Sequence, residues 1–85
     1  MALLEFFGGE CPHCQKMEPL VAKLEEDLGV EVQKFETWHN EENEAKRKKY
    51  DKDCGGVPYF YNTDTEEGLC GERPYEELKA WAQAK

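Results

Sequence analysis

Apolar positions change their period along the chain, and each change marks an element. From Ala2 to Phe7 every residue except Glu5 is apolar, a run without a solvent face. That pattern predicts a central strand of a parallel sheet, covered by helices on both sides. From Pro12 onward, Met17, Leu20, Val21, Leu24 and Leu28 recur at helical spacing. Pro12 suits a first helical turn and Gly29 a C-cap, so the spacing predicts a helix over residues 12–28. Pro19 removes one of its hydrogen bonds and is expected to kink it near Gln15 and Lys16.

Val30 to Glu36 is rich in β-branched and aromatic residues, with Val30 and Val32 alternating, and predicts a second strand that ends before the polar Thr37-Trp38-His39-Asn40. A helix with a weak apolar face, built on Ala45 and Tyr50, is expected from Asn40 or Glu41 to Asp51. Acids stand four residues ahead of bases in it (Glu42 and Lys46, Glu44 and Lys48), which makes Lys46-Arg47-Lys48-Lys49 a solvated helix face rather than a basic patch. The loop Cys54-Gly55-Gly56-Val57-Pro58 leads into Tyr59-Phe60-Tyr61, the turn Asn62-Thr63-Asp64 and a return strand from Glu66 to Cys70. Gly71 breaks that strand. A last helix starts near Pro74 with Tyr75, Leu78, Trp81 and Ala82 on one face, Trp81 in the core. With a right-handed crossover between the first two strands, the order βαβαββα gives an α/β fold: a four-stranded mixed sheet with three helices distributed over both faces, in a single domain 1–85.

Composition narrows the function. A chain of 85 residues has a thin core. Its net charge of −8 argues against nucleic-acid binding, which needs a phosphate-neutralising surface. No apolar run has the length of a membrane span, and no leader pattern precedes the first strand, so a cytoplasmic protein is expected. In that setting four cysteines point to catalysis or metal binding before a disulfide scaffold.

The chemistry concentrates at Cys11-Pro12-His13-Cys14, where the first strand runs through Gly8-Gly9-Glu10 into a helix. Two cysteines at this spacing close a small disulfide, and a thiolate at a helix N-terminus is stabilised by free N–H groups and the helix dipole. On its own the motif also fits a metal knuckle or a scaffold disulfide. The context resembles the thioredoxin fold superfamily over nearly the whole chain. CPHC after Leu4-Glu5-Phe6-Phe7 resembles the periplasmic disulfide-forming oxidases; Pro19, five residues after Cys14, resembles the kinking proline of thioredoxins. Glu5 falls where the family keeps a buried acid behind the second cysteine, and Gly56-Val57-Pro58 resembles its cis-proline loop. Size and element order are closest to glutaredoxins. The chain differs from them at His13, at Gly56 and at Gly71-Glu72-Arg73-Pro74, the place of their glutathione-carboxylate site.

The resemblance implies a thioredoxin-like thiol–disulfide oxidoreductase without bound cofactor, acting as a monomer on protein disulfides or dithiols with a reductase or glutathione as electron donor. Cys11, the more exposed sulfur, is then the nucleophile and Cys14 the resolving thiol. Pro12 shapes the turn, His13 favours the thiolate, and Glu5 passes the Cys14 proton. Gly56, Val57, Pro58 and Gly71 contact substrate. Glu10 opposes the thiolate by its charge. Cys54 and Cys70 read first as small core residues and secondly as a structural disulfide joining the cis-proline loop to the last strand. Two alternatives remain: a glutathione-dependent reductase, and a four-cysteine zinc or iron–sulfur module. Trp38 and His39 are expected to cap or pack rather than to touch substrate.

Overall fold

The computed structural model describes residues 2–51 and 53–84. Seven elements follow in the order β1 (Leu3–Phe7), α1 (Pro12–Leu28), β2 (Val32–Glu36), α2 (Glu41–Tyr50), β3 (Tyr59–Asn62), β4 (Glu67–Cys70) and α3 (Tyr75–Gln83). They build a four-stranded mixed sheet in the order β2-β1-β3-β4. β1 is central, parallel to β2 with Phe6 opposite Phe35 and antiparallel to β3 with Phe6 opposite Tyr59; β4 returns antiparallel to β3.

Alternation along β1 divides the core. Leu3 joins Met17, Val21 and Leu24 of α1, Phe60 of β3, and Leu78, Trp81 and Ala82 of α3 on one face. Leu4 and Phe6 turn to the other face, where Tyr59, Tyr61, Phe35 and Tyr50 of α2 meet them. Aromatic pairs carry much of this second cluster, Phe6 stacking on Phe35 at 5.3 Å and Tyr50 tilting against Tyr61 at 4.7 Å. α1 spans the predicted residues without interruption, with Pro19 inside it and Gly29 as a left-handed C-cap at φ 64°.

Local bonds adjust the predicted limits. Val30 is not in β2, because its N–H donates to Glu25 O at 3.3 Å and closes the exit of α1. In α2 the apolar face differs from expectation: Ala45 is exposed and Arg47 is the buried residue, only 4% accessible. The run Lys46–Lys49 is therefore not wholly a solvated face. Glu44 at 2.6 Å and Asp51 at 2.9 Å pair the Arg47 guanidinium, and these partners allow a cation to be covered.

Side chains also take up backbone groups of the outer strands. The Val32 N–H donates to Glu25 Oε2 at 2.9 Å while Lys34 Nζ donates to Val32 O at 3.3 Å. On β4, Trp81 Nε1 donates to Glu67 O at 3.1 Å and Arg73 Nε to Cys70 O at 2.8 Å. No described helix is long and apolar enough to cross a membrane.

Candidate functional site

Strand direction brings the chemistry to one end of the sheet. β1 and β2 end there, β3 begins there, and antiparallel β4 ends there. The loops carrying Cys11, Trp38 and His39, Val57-Pro58, and Gly71-Glu72 therefore meet although they are far apart in sequence.

Cys11 is the N-cap of α1, and its Sγ accepts the Cys14 N–H at 3.2 Å. The two sulfurs are bonded, with their Cα atoms 5.2 Å apart. Cys11 is buried in this bonded form. It is 3% accessible against 2% for Cys14, so the expectation that Cys11 is the exposed sulfur does not hold in this disulfide form. The outer surface of the turn is Pro12 and His13, both exposed. His13 Nδ1 lies 3.0 Å from Glu72 Oε1, a hydrogen bond that spends this nitrogen on the loop before α3 and holds Glu72 below the usual carboxylate range.

Glu5 lies on the face of β1 that α1 covers, in line with Leu3, and is 3% accessible. Burial is the main influence on its carboxyl. Lys34, its partner across β2, works against that effect, and Glu18 and Glu25 add to it, so the pKa is pushed up to about 7.

The loop before Cys11 is built against the loop after β2. A Cβ on Gly8 would collide with the Trp38 indole, and one on Gly9 would stand 3.6 Å from His39 Cδ2. Glu36 joins the two loops by accepting Gly9 N–H at 2.8 Å, Trp38 N–H at 3.1 Å and His39 N–H at 2.8 Å. Desolvation opposes its ionisation, but these bonds outweigh it and keep its pKa low. Nε2 of His39 is 2.7 and 2.8 Å from the two Glu10 oxygens. That hydrogen bond first, then the charges of Glu10 and Glu36, raise the His39 pKa. Trp38 remains 52% accessible and forms one side of an open groove with Thr37, Glu41, Glu44, Ala45 and Lys48.

The Val57–Pro58 peptide is cis. The segment leading to it is held from both directions. Asp51 accepts Cys54 N–H at 2.7 Å and Gly55 N–H at 2.9 Å, and Gly71 N–H donates to Pro58 O at 2.8 Å. Cys54 and Cys70 are bonded, Cα atoms 5.5 Å apart, and are not the free core thiols that were the first expectation. β3–β4 pairing explains this: Cys70 faces Tyr59, next to the loop that carries Cys54. The four cysteines thus form two separate bonds, and among the described residues no cluster of three or more His, Cys, Asp or Glu is arranged to hold a metal. The four-cysteine module is not assembled.

Sequence reasoning missed Glu36, Glu72, Asp51 and the contact of Trp38 and His39 with the redox loop. The adjacent Gly8-Gly9 was the available signal, since paired glycines before a helix leave backbone open to close approach.

Fold and site together define a dithiol–disulfide centre at the N-terminus of a helix, beside a mixed sheet. The thioredoxin family model matches residues 1–84, and the chain belongs to the thioredoxin family. Among solved structures, thioredoxin f from spinach chloroplast (short form) is similar, with a TM-score of 0.78 and 28% identity over 98% of this chain and 73% of that one. No curated protein matches significantly. Family membership and the Cys11–Cys14 bond support thiol–disulfide oxidoreductase chemistry in general.

Proposed function

We propose that this chain reduces or exchanges disulfides of client proteins, with Cys11 as nucleophile and Cys14 as resolving thiol. The observation that carries the reading is the bonded pair at the start of α1, with Cys11 Sγ receiving the Cys14 N–H. In the reduced form the same N–H stabilises a Cys11 thiolate. The thiolate attacks one client sulfur, forming a mixed disulfide and releasing the other as a thiolate. Cys14, deprotonated, then attacks Cys11 Sγ, which restores the Cys11–Cys14 bond and frees the second client thiol. Two electrons pass from the dithiol to the client.

Glu5 is the group to accept the Cys14 proton, directly or through water. A carboxyl with a pKa of about 7 is divided between its two forms near neutrality, as an acid–base group requires. Pro12 sets the turn, and Gly56, Val57, Pro58 and Gly71 present backbone to the client. Electrons return from a reductase. Glu72 weighs against glutathione as the donor, since its charge stands at the loop before α3 where a glutathione carboxylate would need a cationic or neutral partner. A single domain acting as a cytoplasmic monomer completes the proposal. Mapping the state of the Cys54–Cys70 bond in rapidly quenched cells tests the location.

Insulin-disulfide reduction tests the chemistry. Cys11→Ser should abolish it, and Cys14→Ser should accumulate a mixed disulfide at Cys11. Activity retained in Cys11→Ser removes the nucleophile assignment.

A further inference from the structure

Glu10 immediately precedes Cys11, and a bare carboxylate there disfavours the thiolate on which exchange depends. The histidine of the motif does not offset it with its Nδ1, which is bonded to Glu72. The offset lies on the opposite side, in His39, whose Nε2 is within 2.8 Å of both Glu10 oxygens. The ring is well constrained. Its backbone N–H is held by Glu36 Oε1, the same carboxylate fixes Gly9 through Oε2, and its edge lies against Gly9. Residues 8–10 and 37–39 therefore form one unit joined through Glu36.

We propose that His39 is a positioning residue for the redox pair: it fixes and neutralises the Glu10 carboxylate beside Cys11, and through Glu10 it sets how readily Cys11 reacts. The proposal rests on Cys11 being the nucleophile. Other charges at this end of the sheet are Glu36 below His39, Glu41 at the start of α2, the closed His13–Glu72 pair, and Lys16, whose charge acts on Glu72. Glu10 and Glu36 both favour the imidazolium, so the His39 cation persists above the pH of an ordinary histidine. Once His39 loses its proton, the Glu10 charge is uncompensated and Cys11 becomes harder to ionise. Both side chains are exposed, so the effect has the size of a surface pair and weakens with salt.

The test is the rate of iodoacetamide alkylation of the reduced protein, at low salt and a pH below the thiol midpoint, with the labelled cysteine identified by mass spectrometry. His39→Gln, which keeps a hydrogen-bonding amide without the charge, should slow Cys11 labelling by about two- to fivefold. His39→Lys should restore it. Glu10→Gln should label at or above the wild-type rate, and adding His39→Gln to Glu10→Gln should change nothing further. A purely structural role for His39 would slow both backgrounds equally, and that result, or no slowing in the wild-type background, overturns the proposal. First labelling at Cys14 instead would overturn the nucleophile assignment, and the role of His39 with it.

Discussion

Asp51 accepts the Cys54 N–H at 2.7 Å, so the residue that ends α2 also fixes the start of the loop leading to Pro58. Its other oxygen binds Gly55 N–H and the buried Arg47. Burial opposes ionisation of Asp51, yet these bonds outweigh it and lower its pKa. Asp51→Ala should cost about 3 kcal/mol in urea unfolding, since it frees two N–H groups and strips a partner from a covered cation. Asp51→Asn, which keeps an acceptor, should cost less. Because the folded pKa is depressed, this contribution is present above the unfolded value of 3.8 and disappears as pH falls through the folded one.

Glu5 has the opposite sign. Its folded pKa of about 7 lies above the unfolded 4.5, so between these values the folded chain binds more protons, and stability falls as pH rises. The shift corresponds to at most about 3 kcal/mol at alkaline pH. Glu5→Gln should recover that stability above pH 7 and change little below pH 4.5, and it should slow resolution of the mixed disulfide. Equal unfolding midpoints for the two proteins at the alkaline end would refute the argument.

Gly8→Ala should displace Trp38, because the added methyl enters the volume of the indole. A red shift of the Trp38 fluorescence and a loss of about 1–2 kcal/mol are expected. In a Trp38→Ala background the same substitution should cost almost nothing, which identifies the ring as the obstacle.

Replacing Cys54 and Cys70 together by Ser removes a covalent link across a sequence separation of 16. The chain-entropy model gives a loss of about 3 kcal/mol for a loop of this length. Cys11 alkylation should be unaffected, because Asp51 and the Gly71–Pro58 hydrogen bond still hold the loop. A change in Cys11 labelling would show that the second disulfide also shapes the redox turn.

The sheet, the element order and the limits of α1 were legible because period, caps and turn residues agreed at each boundary. The burial of Glu5, the pairing of Cys11 with Cys14 and the cis Val57–Pro58 peptide agree in geometry with what the motif implies. Arg47 was not legible, because three lysines flank it and local spacing pairs acids with those lysines, whereas burial was decided by Asp51 and Glu44 closing around the guanidinium. His39 escaped for a different reason. Its partner Glu10 is 29 residues away, and only the parallel pairing of β1 with β2 brings them together. The Cys54–Cys70 bond likewise depends on the β3–β4 register.

The side chains seated on the outer strands bear on how this protein behaves in a crowd. A sheet of four short strands has two open rims, each a template on which a foreign strand could add. On the β2 rim Glu25 and Lys34 occupy both backbone groups of Val32, and on the β4 rim Arg73 occupies the carbonyl of Cys70. An incoming chain would have to break bonds already made before it formed its own. Edge-to-edge addition of a foreign strand is thereby made less favourable at both rims.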